Sequence, residues 1–292
     1  MVRAMPWVFV LIWSTGFVVA RLAMPHSPPF SFLTVRFALS AICFIVWIAL
    51  ARAAWPVGRA QWGHLLVTGI FMQASYLGGV WAAVKAGIGA GTVALLVGLQ
   101  PVLTALWLTL TVSRGEGSAP TARVTMREWL GLLLGFSGLA FVVWPKLGTG
   151  EVTPGNLTLA LVALLGITIG TLYQKRFVAP CDVRSASAVQ MLAALVVCAP
   201  LALFEREAMD WHANLIAAMA WSVGVLTLGG SSLLYLLIQR GEATAVTSLL
   251  YLVPPCTAVL AWILFGEAFT PLMMLGMGLT VVGVAVVVRE RR

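Results

Sequence analysis

The amino-acid sequence predicts an all-α integral membrane protein, with ten transmembrane helices arranged as two inverted five-helix repeats. Three observations predict it. The first is composition: 61% of residues are hydrophobic, only 10% are charged, and mean hydropathy is +0.99. A soluble domain carries roughly 25% charged residues, so this chain has too few to cover its own surface in water. The second is a series of ten apolar runs, each near the roughly 20 residues that a span requires. The third is self-similarity. Gly16 answers to Gly170, Arg21 to Lys175, Val35-Arg36 to Val189-Gln190, Trp81 to Tyr235, Gly87 to Gly241 and Pro101 to Pro255, all at a spacing of 154. Later in each copy the spacing falls to 145, so that Gly131 answers to Gly276 and Gly138 to Gly283. An extra polar loop around Ser113–Thr125 in the first copy accounts for the change.

The spans follow in order. Met5–Met24 has the polar break Trp13-Ser14-Thr15-Gly16 near its middle and ends at Pro25-His26-Ser27-Pro28-Pro29. Its apolar run has no small-residue cleavage site and reads as a first span rather than a signal peptide. Phe30–Ala51 contains Arg36 about two turns from its outer end. Leu65–Val84 presents Gln73, Tyr76 and Trp81 broadly on one face. Ile88–Val112 contains Gln100-Pro101, and Glu128–Pro145 closes the first copy. In the second copy Gly155–Arg176 holds Gly166, Thr168, Gly170, Thr171 and Tyr173, and Ser185–Phe204 follows it. Ala213–Ile238 holds Tyr235, Ala243–Phe265 holds Tyr251 and Pro254-Pro255, and Pro271–Val288 is last. The domains expected are residues 1–147 and 155–292.

Five spans per copy make the second copy enter the membrane from the opposite side, an arrangement of secondary transporters. Lys and Arg distribution supports this parity. Thirteen of the 18 lie at one set of span ends, and five, namely Arg21, Arg36, Lys85, Lys146 and Arg206, belong to the other. Acidic residues divide evenly, five and five. Positive charge marks the cytoplasmic side, so both termini are expected in the cytoplasm.

The same distribution argues against nucleic acid as a partner, because the basic residues occupy short loops and not one stripe. The lipid bilayer is the expected partner. Cys43, Cys181, Cys198 and Cys256 stand singly with no CxxC spacing, and the three histidines lie near span ends. No cluster suggests a metal, a cofactor or a catalytic residue, so an enzyme is not expected. Two fused halves make a monomer sufficient, and a dimer is compatible with them.

Where a small-molecule substrate would bind is read from polar and aromatic groups at membrane depth. Proline removes an amide donor and frees a carbonyl about a turn earlier, so Pro101, Pro254 and Pro255 read as kinks and candidate hinges, each deep in its helix. Trp13, Gln73, Tyr76, Trp81, Gln100, Tyr235 and Tyr251 are expected to line a cavity with aromatic walls and neutral polar groups. An ionisable residue inside a span is a functional candidate. Arg36 either snorkels to the outer headgroups, pairs with an outer acid such as Glu267, or captures an anionic group of the substrate. No Asp or Glu falls near mid-membrane, which speaks against proton-driven export of cations.

The run Leu11-Ile12-Trp13-Ser14-Thr15-Gly16-Phe17-Val18-Val19-Ala20-Arg21 resembles the first helix of the EamA-type drug/metabolite transporter superfamily. So do Pro29 followed by Val35-Arg36-Phe37, Leu99-Gln100-Pro101, and Tyr251-Leu252-Val253-Pro254-Pro255 followed by Gly266-Glu267. The resemblance covers almost the whole chain. It implies ten helices in two halves and alternating access. It also implies an inner-membrane exporter of amino acids or related metabolites, with export of drugs or other hydrophobic compounds as the alternative. Small multidrug members of the superfamily use a glutamate in the first helix, and here that stretch is Trp13-Ser14-Thr15.

Overall fold

The computed structural model describes residues 5–104, 107, 126–230, 233, 252–267 and 270–289. Among the described residues every regular element is helical. The first copy gives α1 (Met5–Ala23), α2 (Pro29–Ala51), α3 (Arg59–Gly69), a π-helical segment (Ile70–Ser75), α4 (Tyr76–Lys85), α5 (Ala90–Val97), α6 (100–104) and α7 (Met126–Gly148). The second gives α8 (Pro154–Phe177), α9 (Val183–Ala202), α10 (Ala213–Ala220), a second π-helical segment (Trp221–Gly229), α11 (Val253–Phe265) and α12 (Pro271–Arg289). Among the described residues five helices are long and apolar enough to cross a membrane: Pro29–Ala51, Arg59–Lys85, Trp129–Gly148, Pro154–Phe177 and Val183–Ala202. Shorter apolar helices cover Trp7–Ala23, Ala90–Thr104, Ala213–Gly229, Val253–Phe265 and Pro271–Gly283. Leu50, Trp144, Leu203 and Phe204 are exposed, a surface suited to lipid.

Helix ends follow ordinary capping chemistry. Pro29 opens α2, where its missing N–H is not needed. The next two amides donate to Glu205, Phe30 N at 2.9 Å and Ser31 N at 2.7 Å. Thr153 and Asn156 form a reciprocal capping box on α8. Asp182 caps α9 by accepting from Arg184 N at 2.9 Å. Hydrogen bonds from the Arg184 side chain hold the Asp182 carboxyl below the usual carboxylate range. The cap is therefore intact at neutral pH and is lost only as pH falls through that lowered value.

Helices from before and after residue 150 pack on one another: α2 along α9, α7 along α12, α4 on α8, and α5 on α11. Lipid gives helices no hydrophobic reason to associate, so close backbone approach over small residues takes that role. A Cβ added at Gly79 would lie 2.6 Å from Leu159 O, and one at Gly69 2.6 Å from Gln190 O. One at Gly283 would lie 2.6 Å from Gly131 O, and one at Gly276 2.5 Å from Gly138 O. These contacts make α7 and α12 antiparallel. They also pair each glycine with the repeat equivalent of the other glycine on its partner helix.

The fourth helix of the first copy breaks where the sequence places its proline. α5 stops at Val97, Leu99 N donates to Leu96 O at 3.2 Å, and Pro101 stands in the first turn of α6. Pro254 and Pro255 were expected deep within a helix. In the structure they occupy the first turn of α11, where an amide donor is not required. The two breaks touch: a Cβ at Gly98 would lie 2.8 Å from Pro254 Cγ.

Gly276→Leu is expected to destabilise the α7–α12 contact by about 1–3 kcal/mol, the usual cost of overpacking, seen as a lower midpoint on thermal unfolding in detergent. Gly278→Leu is expected to leave the midpoint unchanged, since nothing lies within 4 Å of a Cβ there.

Candidate functional site

The two π-helical segments occupy equivalent places in the repeat, since Ile70 and Ser75 correspond to Gly224 and Gly229 at the spacing of 154. A π turn widens the helix by one residue and re-aims the side chains around it, and such turns are frequent at functional sites. Gln73 lies in the first segment. Its repeat equivalent, Thr227, lies in the second.

Both segments face one cavity of about 120 Å³. Trp13, Gly16 and Phe17 of α1 line it, as do Arg36 of α2, Met72 and Gln73 of the first π segment, and Tyr76, Leu77, Val80 and Trp81 of α4. Met191 of α9 and Leu226 and Thr227 of the second π segment complete the lining. Residues of both copies therefore build the site. Volume of this order is room for on the order of ten water-sized groups.

Among the described residues Arg36 is the one charged residue in this lining. It is only 7% exposed. One Nη donates to Thr227 Oγ1 at 3.4 Å, and the guanidinium carbon lies 5.8 Å from the centre of the Trp81 ring. Its Nε has no hydrogen-bond partner among the described residues. No ion pair to Arg36 occurs among the described residues. The expected alternative of a bond to Glu267 is corrected: that carboxylate accepts from Ala90 N at 3.0 Å and Gly91 N at 3.4 Å. The unsatisfied amides and positive end of α5 claim it. Lys146, the other buried cation, shows the contrast. It is 8% exposed, yet it reaches Glu151 at 2.6 Å and Thr92 Oγ1 at 2.8 Å.

The aromatic wall is set by packing. Phe32 stacks on Trp81 with ring centres 4.3 Å apart, and Trp81 is 1% exposed. Trp13 is partly buried and tilts against Phe9 at 5.3 Å. The polar break beside Trp13 ties the copies together: Thr257 Oγ1 donates to Ser14 O at 3.1 Å, and Trp221 Nε1 donates to Thr15 Oγ1 at 2.9 Å.

The structure thus brings together Trp13, Arg36, Gln73, Tyr76 and Trp81. It does not bring Gln100 to the cavity lining; its amide donates to Thr171 Oγ1 at 3.1 Å, joining the broken fourth helix to α8. Tyr235 and Tyr251 lie outside the described residues. Sequence reasoning missed Thr227, although the spacing of 154 from Gln73 marks it. It also missed Met72, Met191 and Leu226, whose apolar side chains carry no signal apart from their neighbours.

Contacts between the copies cap the structure at both faces. On the face with few basic residues Lys85 pairs with Glu207 at 2.7 Å, and His26 meets Asp210 at 3.2 Å. On the other, His64 Nδ1 and Tyr173 OH are 2.9 Å apart, and Gln61 donates to Ala179 O at 2.8 Å.

A helical bundle with several helices long and apolar enough to cross a membrane, enclosing a cavity lined by residues from both ends of the chain, suits a membrane transporter. The chain belongs to the EamA-like transporter family, whose model matches residues 5–144 and again 155–289. It is 27% identical over 281 residues to the "uncharacterized inner membrane transporter YedA" of Escherichia coli, covering 95% of this chain and 87% of that one. It is 21% identical over 284 residues to a "probable amino-acid metabolite efflux pump" of Salmonella typhimurium, covering 94% and 90%. A crystal structure with 21% identity superposes with a TM-score of 0.65 over 99% of this chain and 98% of that one, a likeness of fold. Family and relatives make this a multi-pass membrane transporter of a small molecule.

Trp81→Ala is expected to destabilise the protein by about 3–5 kcal/mol through the void beside Phe32, measured as a lower unfolding midpoint. Trp13→Ala, at a partly exposed position on the cavity, is expected to keep that midpoint within about 1 kcal/mol.

Proposed function

We propose that the protein exports amino acids or related small metabolites across the inner membrane by alternating access. Ten transmembrane helices form two five-helix halves, residues 1–147 and 155–292, the second inverted relative to the first. The antiparallel glycine contacts of α7 and α12 support this arrangement, as does a family model that matches twice. The division of Lys and Arg, thirteen against five, supports cytoplasmic termini.

The observation that carries the reading is Arg36. A buried cation without a counter-ion costs several kcal/mol in an empty cavity, and a substrate that brings an anionic group removes that cost. The cargo's anionic end meets Arg36, and its body lies between Trp13, Tyr76 and Trp81, with Gln73 beside it. The halves rock about Pro101 and the Pro254-Pro255 turn, which touch through Gly98 and Pro254. The cavity then opens alternately to the two sides. The name of the Salmonella typhimurium relative supports an amino-acid metabolite as cargo.

The aromatic wall also favours a second reading, export of hydrophobic or aromatic drugs. Resistance profiles of cells expressing the protein separate the two.

Purified protein in vesicles loaded with labelled amino acids and their derivatives is expected to give saturable efflux above protein-free vesicles. Arg36→Gln is expected to lower it at least tenfold. An absence of saturable efflux for all of them overturns the reading.

A further inference from the structure

The charge census of the cavity narrows the cargo further, on the reading that the cavity binds it. We infer that the cargo is a monoanionic organic carboxylate with no ammonium group, carried outward as a net negative charge.

Arg36 offers five N–H donors in a planar fork. One donates to Thr227, and the Nε donor has no partner among the described residues. A carboxylate is the group whose two oxygens match that fork. An α-amino acid would bring an ammonium into the same small space, within a few ångströms of the guanidinium. No carboxylate in the lining neutralises it, since no Asp or Glu lines the cavity among the described residues, and the neutral oxygens of Gln73 and Tyr76 do not offset a second positive charge. The Thr227 hydroxyl donates to Ser222 O at 2.8 Å while its oxygen takes the Arg36 bond. The Trp81 ring already has Phe32 against it at 4.3 Å and the guanidinium at 5.8 Å. Gln73 and Tyr76 remain as neutral groups, and each can donate to a 2-oxo or 2-hydroxy oxygen. Phe17, Leu77 and Val80 suit a branched or aromatic body.

The same census bears on energetics. A monoanion leaving a cell whose interior is negative by 100 mV gains a driving ratio of about fiftyfold. A zwitterion gains none. An exporter of this kind needs no coupling ion and therefore no titratable carboxylate in its cavity.

The test uses matched pairs that differ only at C2: phenylpyruvate against phenylalanine, and 4-methyl-2-oxopentanoate against leucine. Vesicles holding the full-length protein are loaded with each labelled compound at pH 7, and the potential is set with potassium and valinomycin. The oxo acids are expected to leave at least ten times faster than their partners, faster with the interior negative, and at least tenfold more slowly in Arg36→Gln. Thermal stabilisation of the unaltered protein in detergent gives a second readout that does not depend on how the variant folds. The oxo acids are expected to raise its midpoint and the amino acids to leave it unmoved. Faster efflux of the amino acids, or efflux of the oxo acids that ignores the potential, overturns the inference and leaves metabolite export standing. If neither class moves or stabilises the protein, both fall.

Discussion

A positive charge in a low-dielectric interior is stable only when something compensates it, and most of this structure obeys that constraint. Lys146 is buried and held by Glu151 and Thr92. Lys85 has Glu207, and the open ends of α2 and α5 take Glu205 and Glu267. Among the described residues Arg36, also buried, meets the Thr227 hydroxyl and the Trp81 ring but no carboxylate. Glu151, Glu205, Glu207 and Glu267 are committed to other partners. The cavity therefore holds a standing demand for an anion, and the proposed cargo follows from that demand.

Geometry makes the demand accessible. Glycines let backbones meet directly where α3 lies on α9, α4 on α8 and α7 on α12. The π segments lie at positions related by the spacing of 154, and the first packs closely on Gly166 and Gly170 of α8. They bring Gln73 from one side and Thr227 from the other to a common space. The polar break in α1 joins α11 and the second π segment, so in the proposed mechanism these contacts would couple the two halves. Rigid glycine seams with discontinuous helices between them are a physical basis for rocking around a fixed site.

Much of this was legible in the sequence, for identifiable reasons. Long apolar runs ended by Pro, Gly or charge set α2, α7, α8 and α9 within a few residues of where they lie. Arg36 stood out because charge inside a span is rare, and Gln73, Tyr76 and Trp81 because helical spacing put them on one face. The π segments left no trace, since widening a helix by one residue needs no particular residue type. Gln100 was misplaced because spacing along a helix does not fix its rotation toward a cavity; its amide turned to Thr171 instead. Pro254-Pro255 looked internal because the apolar run continues upstream of the helix start at Val253. Thr227 was readable only by applying the repeat to Gln73.

The central claim is that a water-accessible cavity between the halves holds one uncompensated positive charge. A single cysteine at Gln73, in a chain whose four native cysteines are replaced by alanine, reports on it directly. Its rate with an anionic thiol reagent is compared with that of a cationic reagent of the same size, each normalised to a free thiol. The account predicts a clear preference for the anion, about tenfold, that disappears in Arg36→Gln. A preference for the cation, or no reaction with either reagent, contradicts it.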